Sequence, residues 1–176
     1  MLQSLSISGD LFWACVNNSL CLPRLASLVV DPYNDEVQDV PSGDMPALNR
    51  WMRAPPTLRS LAISMGASAT LLSGDSLRSL EKLVVRLGGA NANLTWINNH
   101  GALKRLSVLN PGENTVLPRF GSIPTLEKLS VRAFGPLNVS SDILFHPSIR
   151  KLTLSYVGSL VMPNSPLIHS CLRFIH

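Results

Sequence analysis

Basic residues recur along this chain at one spacing. Lys82, Arg105, Lys128 and Lys151 follow one another at equal steps (105−82 = 128−105 = 151−128). Four positions after them stand Arg86, Leu109, Arg132 and Ser155. If the chain brings the members of the first series side by side, four cations form a column. Such a column can hold an acidic protein tail, a phosphopeptide or a polyanion by charge-assisted hydrogen bonds. The candidate partner-binding residues are therefore Lys82, Arg86, Arg105, Lys128, Arg132 and Lys151. Glu81 and Glu127 sit beside the column in sequence and are expected to relieve part of its self-repulsion. The competing account is plain: Lys and Arg keep exposed strands soluble and unpaired.

Other chemistry finds less support. Ser73-Gly74-Asp75-Ser76-Leu77 resembles the nucleophile block of GDSL-type serine hydrolases, with Ser76 as nucleophile. That family places the block near the start of the domain and requires an Asp-x-x-His block near the end. The nearest match, Asp142-Ile143-Leu144-Phe145-His146, has one residue too many. A nucleophile without a base and an orienting group is not a site, and Gly74-Asp75 reads as a turn. His100, His146 and His169 each fall three places before a repeat's first apolar residue, Leu103, Ile149 and Leu172, which marks a turn position. His169-x-Cys171 with a distant Cys15 or Cys21 is a poor zinc set, because tetrahedral sites show close ligand pairs. No phosphate-cradling glycine loop is present, and Gly88-Gly89 reads as a turn that ends a strand. No enzyme activity, cofactor, metal or small-molecule substrate is expected. Nucleic acid is disfavoured because no aromatic interleaves with the basic residues to stack on bases.

The elements that would position the cations follow from a repeat. The pattern leucine-x-x-leucine-x-aliphatic, clearest in Leu80-Glu81-Lys82-Leu83-Val84-Val85, also starts at Leu2, Leu25, Leu58, Leu103, Leu126 and Ile149. Leu172-Arg173-Phe174-Ile175 begins an eighth copy. Five of the seven steps between successive first positions are identical (25−2, 103−80, 126−103, 149−126, 172−149). The step from Leu58 to Leu80 is one shorter, and that from Leu25 to Leu58 is ten longer. A fixed period of this size is the signature of a solenoid. The second leucine and the aliphatic two places on share one side of a strand. One strand cannot bury that side alone, so neighbours must stack into a parallel sheet. The period leaves room for one short strand, a turn and a short helix or 3₁₀ return. Trp51, Trp96, Phe120 and Ile143 stand at nearly the same phase ahead of the next repeat and are expected, with Trp13, to fill the core. Leu28, Leu61, Leu83, Leu106, Leu129 and Leu152 are expected to stack as one internal column.

On these residues the chain resembles a leucine-rich repeat protein over essentially its whole length. Ile123-Pro124-Thr125-Leu126-Glu127-Lys128-Leu129-Ser130-Val131 is similar to repeats in F-box-associated and other intracellular leucine-rich arrays. The resemblance implies an α/β solenoid of about seven repeats. A parallel sheet would form its concave face and short helical or 3₁₀ segments its convex face. It departs from the family at the ninth repeat position, where Asn or Cys usually ladders to buried backbone. Here that position holds Asp10, Tyr33, Gly66, Gly88, Pro111, Phe134 and Val157.

Composition agrees with a folded chain. Of 176 residues, 45% are hydrophobic and 15% charged, which excludes a disordered polyelectrolyte. Net charge is +4 and unevenly spread. Asp31, Asp35, Glu36, Asp39 and Asp44 form an acidic patch, whereas from Ser76 onward 11 Lys and Arg face 4 acids (11−4 = +7). Three cysteines cannot all pair with one another, and no signal peptide or apolar span is read, so a cytoplasmic setting is expected. Residues 1–176 are read as one domain with an insertion at 31–57, in which Asp44 could cap a short helix running to Trp51. The array is expected to be uncapped or a piece of a longer one. The expected function is non-enzymatic recognition of an acidic protein partner through the concave face, in the manner of the substrate-recognition arrays of F-box proteins. An extracellular or pathogen-associated ligand-binding array is the alternative, to be marked by a Cys15–Cys21 disulfide or a glycan at Asn93.

Overall fold

The computed structural model describes residues 2–17, 22–31, 57–64, 77–89, 91–135, 137–138, 141–143, 146–156 and 160–161. Expectations for most of the 31–57 insertion, for Trp51, Ser73–Ser76, His169, Cys21, Cys171 and the eighth repeat start lie outside these residues, as does the side chain of Trp13.

Each leucine pattern within the described chain becomes a strand. In order these are β1 (Ser4–Ser8), β2 (Ser27–Asp31), β3 (Ser60–Ser64), β4 (Lys82–Arg86), β5 (Arg105–Leu109) and β6 (Lys128–Ala133). After the short β7 (Leu137–Asn138) come β8 (Lys151–Tyr156) and β9 (Leu160–Val161). Seven of them form one parallel sheet in the order β1-β2-β3-β4-β5-β6-β8. The apolar residues alternate along each strand, and only one face can be covered by the return segments. That face takes the leucines. Leu5, Leu28, Leu61, Leu83, Leu106, Leu129 and Leu152 are successive partners across the sheet. From Leu28 to Leu152 they are buried, none more than 7% exposed. A slip of one position would turn the whole column out to solvent, so the pattern dictates the register.

The return segments close the covered face as expected. α1 (Gly9–Asn17) contributes Phe12 and Val16. Short 3₁₀ turns at Thr95–Asn99, Phe120–Ser122 and Ser141–Ile143 contribute Trp96, Ile97, Phe120 and Ile143. The first leucines of the repeats, Leu25, Leu58, Leu80, Leu103 and Leu126, turn into the same core. Gly88 and Gly89, at φ 57° and 86°, end the excursion after β4, a backbone region that an L side chain rarely adopts.

One feature escaped the pattern. Outside the main sheet Asn93 is bridged to Val116, and β7 and β9 form a separate, two-stranded parallel ladder. Strands this short cannot show a period of two, so periodicity cannot reveal the ladder.

Hydroxyls and one imidazole from the turns before β3, β6 and β8 take carbonyls of the preceding repeat. Thr57 Oγ1 donates to Pro23 O (3.2 Å) and Leu25 O (3.0 Å). Thr125 Oγ1 donates to Gly101 O (2.8 Å) and Leu103 O (2.9 Å), and Ser148 Oγ to Pro124 O (2.7 Å). His146 Nε2 lies 3.1 Å from Ile123 O. Turn carbonyls cannot join the ladder of the main sheet, so a side-chain donor spares them a costly unpaired state.

Candidate docking surface

The strand register carries the basic residues to the uncovered face of the sheet. Lys82 pairs with Arg105, Arg105 with Lys128 and Lys128 with Lys151. All four side chains are exposed. Strand spacing then sets their Cα atoms about 4.8 Å apart. Two places along each strand, on the same face, runs a middle column of Val84, Ser107, Ser130 and Thr153. Two places further is the third column, Arg86, Leu109, Arg132 and Ser155. Thus all six candidate residues share one face. A groove of about 260 Å³ lies along the first two columns, with Lys82, Arg105, Lys128 and Lys151 on one side and Ser107, Ser130 and Thr153 in its floor.

Positive charge is confined to one half of this face. The same three columns on β1 to β3 hold Ser4, Ser6 and Ser8, then Ser27 and Val29, then Ser60, Ala62 and Ser64; Asp31, at the end of β2, completes them. No aromatic occupies any column.

The residues just before the cation column behave differently, and here the expectation about Glu81 is corrected. Arg59, Glu81, Lys104, Glu127 and Arg150 form their own series, each linked to the previous repeat by a backbone hydrogen bond. Their signs alternate. Glu81 Oε1 meets Arg59 Nη1 at 2.6 Å and Glu81 Oε2 meets Lys104 Nζ at 3.1 Å. Hydrogen bonds from Lys104 and then Arg59 hold the Glu81 carboxyl below its ordinary pKa. Glu81 is therefore committed to this rim series and does not neutralise Lys82 or Arg105. Among the described residues, no ion pair involves Lys82, Arg105, Lys128 or Lys151. Opposite signs on adjacent strands attract and like signs repel. Among the described residues, the chain thus builds a self-neutralising rim one residue away from a cation column with no ion pair.

His100 and His146 are structural, as their turn positions imply. His146 is buried and uses both ring nitrogens, since Nδ1 accepts from Ser148 N at 3.3 Å while Nε2 faces Ile123 O. It has no free nitrogen with which to act as a base. Asp142 Oδ2 accepts from Gly121 N at 3.3 Å, which ties that carboxylate to the neighbouring turn. His100 is fully buried, edge-on to Trp96 at 5.6 Å between ring centroids. Burial lowers its pKa, and the Leu77 carbonyl, one repeat earlier, draws weakly the other way. Neither ring nitrogen of His100 meets full hydrogen-bond geometry among the described residues.

Cys15 carries a free, half-buried thiol. Among the described residues no group of three or more His, Cys, Asp or Glu is placed to hold a metal ion. Among them, too, no helix is long and apolar enough to cross a membrane.

Two features of the site were missed in the sequence, and both had a signal there. Aligning the repeats residue by residue shows the alternating rim and the Ser107-Ser130-Thr153 column directly. Reading the cations alone concealed both. No protein-family model matches this chain, and no curated protein matches it.

Proposed function

We propose that this chain is a divergent leucine-rich repeat array whose uncovered, concave sheet face recognises an acidic protein partner without catalysing a reaction. The observation that carries this reading is the contrast between adjacent series. If cations served only solubility, the alternating rim would be the less repulsive arrangement for both. Four like charges at about 4.8 Å spacing oppose folding slightly, and an acidic partner would turn that repulsion into attraction. The same field would steer the encounter, raising the association rate most at low salt. An intracellular setting, as in the substrate-recognition arrays that the repeats resemble, fits the free Cys15 thiol.

The test replaces Lys82, Arg105, Lys128 and Lys151 together by Glu. Wild type and variant, both checked for a cooperative melt, are used to capture partners from lysate and to bind a polyglutamate peptide. Capture and peptide binding by the wild type alone are expected. A partner retained equally by a well-folded variant would move recognition away from this face.

A further inference from the structure

Resting on that reading, we infer that the acidic feature recognised is a phosphorylated serine or threonine in an extended segment of the partner, seated over Ser130. The nine positions centred on Ser130 are set by the pairing of β5, β6 and β8. They are Arg105, Ser107 and Leu109 on β5, Lys128, Ser130 and Arg132 on β6, and Lys151, Thr153 and Ser155 on β8. Four are cations, four carry hydroxyls, one is apolar and none is acidic. The cations are exposed and the hydroxyl-bearing residues half-buried, so the hydroxyls form the floor and the cations the wall.

The dimensions select the ligand. Neighbouring strands stand about 4.8 Å apart, and same-face residues on one strand about 6.6 Å apart. A group over Ser130 therefore has Lys128 and Arg132 on either side along the strand. It has Ser107 and Thr153 across it, and Arg105 and Lys151 on the diagonals. Donors converge from every side but the Leu109 corner, and no carboxylate stands at any of the nine positions. A carboxylate offers two oxygens in one plane and a single charge. A phosphate ester offers three strong acceptor oxygens in a pyramid and a charge of about −1.5 to −2 near neutral pH. Only the phosphate engages floor hydroxyls and wall cations together. Among the described residues, no hydrogen bond ties up the hydroxyls of Ser107, Ser130 or Thr153.

The surroundings argue for a peptide over a nucleic acid backbone. The basic patch spans four strands, β4, β5, β6 and β8, and ends at the uncharged β3; three strand spacings make it about 14 Å across, room for one phosphate and its flanks but not for a long run of them. No aromatic is present to stack a base. A chain crossing from β8 towards β3 would leave the phosphate site, pass over Val84 between Lys82 and Arg86, and reach an uncharged bed at Ser60, Ala62 and Ser64.

The experiment uses oriented peptide libraries with randomised flanks and a fixed centre of phosphoserine, serine or glutamate, offered to the immobilised full chain. A uridine oligonucleotide and a glutamate-rich peptide run alongside. Phosphoserine peptides should be retained roughly tenfold more than either control library. Their retention should fall as pH drops through about 6, where the second phosphate proton returns. Ser130→Ala and Lys128→Gln should each cut retention several-fold, with Lys128→Arg restoring it and the melting transition unmoved. Equal retention of the glutamate and phosphoserine libraries would overturn this inference and leave the acidic-partner reading standing. Preference for the oligonucleotide would overturn the peptide assignment. Retention of none of the probes by a folded chain would remove both readings.

Discussion

Arg105 and Lys104 are chain neighbours with opposite electrical surroundings, and reversing each should move stability in opposite directions. Arg105 lies between Lys82 on β4 and Lys128 on β6. Lys104 lies between Glu81 and Glu127, with Glu81 Oε2 at 3.1 Å. Two unit charges about 6 Å apart in water interact by about 0.7 kcal/mol, and physiological salt roughly halves this. Arg105→Glu removes two repulsions and creates two attractions. After the loss of side-chain freedom in the new pairs, a gain of about 0.5–1 kcal/mol is expected. Lys104→Glu does the reverse and should lower stability. For a chain of this size about 1 kcal/mol moves Tm by about 2–4 °C. Urea denaturation of both variants, at low salt and at about 1 M NaCl, provides the assay. At the higher salt the screening length is about 3 Å, so both differences should shrink towards zero. A stability loss above about 1 kcal/mol for Arg105→Glu, beyond what exposed charges can supply, would show that the cation column serves the fold, and the functional argument from charge would fail.

Further outcomes follow from the packing. Leu129→Ala removes a side chain 1% exposed, set between Leu106 and Leu152, and should cost about 2–5 kcal/mol by denaturant unfolding. A far smaller loss would contradict a close-packed leucine column. Thr125→Val keeps the shape but leaves the carbonyls of Gly101 and Leu103 without their hydroxyl donor. It should cost about 1 kcal/mol, and Thr125→Ser should recover most of it. His100 has a folded pKa below its ordinary 6.5, so the unfolded chain takes up a proton that the folded chain resists. Stability is then full above pH 6.5 and declines as pH falls below it, by at most about 1.4 kcal/mol per unit from this group. A His100→Gln variant, compared by urea titration from just above neutral pH down to about pH 5, should lose that part of the slope. An unchanged slope would refute the assignment.

Much of the fold was legible because a repeat states its own register. Once seven strands share a leucine and an aliphatic two places on, parallel stacking is the one arrangement that buries them all. The column from Leu28 to Leu152, the buried Trp96, Phe120 and Ile143 and the turn at Gly88-Gly89 follow from that. The bridge between Asn93 and Val116 was not legible, since single bridged residues carry no period. Nor were the partners of Thr57, Thr125 and Ser148, because a hydroxyl in a turn reads the same whether it meets water or a carbonyl of the preceding repeat.

The amino-acid order alone determined which residues can stand in a column, because the repeat period and the alternation of a strand depend only on counting. It thereby placed Lys82, Arg105, Lys128 and Lys151 in one row and Arg86, Leu109, Arg132 and Ser155 in another. What those columns face was decided by tertiary structure. Glu81 is as near to Lys82 as a residue can be in sequence, yet its charge goes to Arg59 and Lys104. Successive residues on a strand point to different sides, while residues one repeat apart lie within about 5 Å. Among the described residues, charge pairing therefore runs across the strands and takes up none of the four column cations.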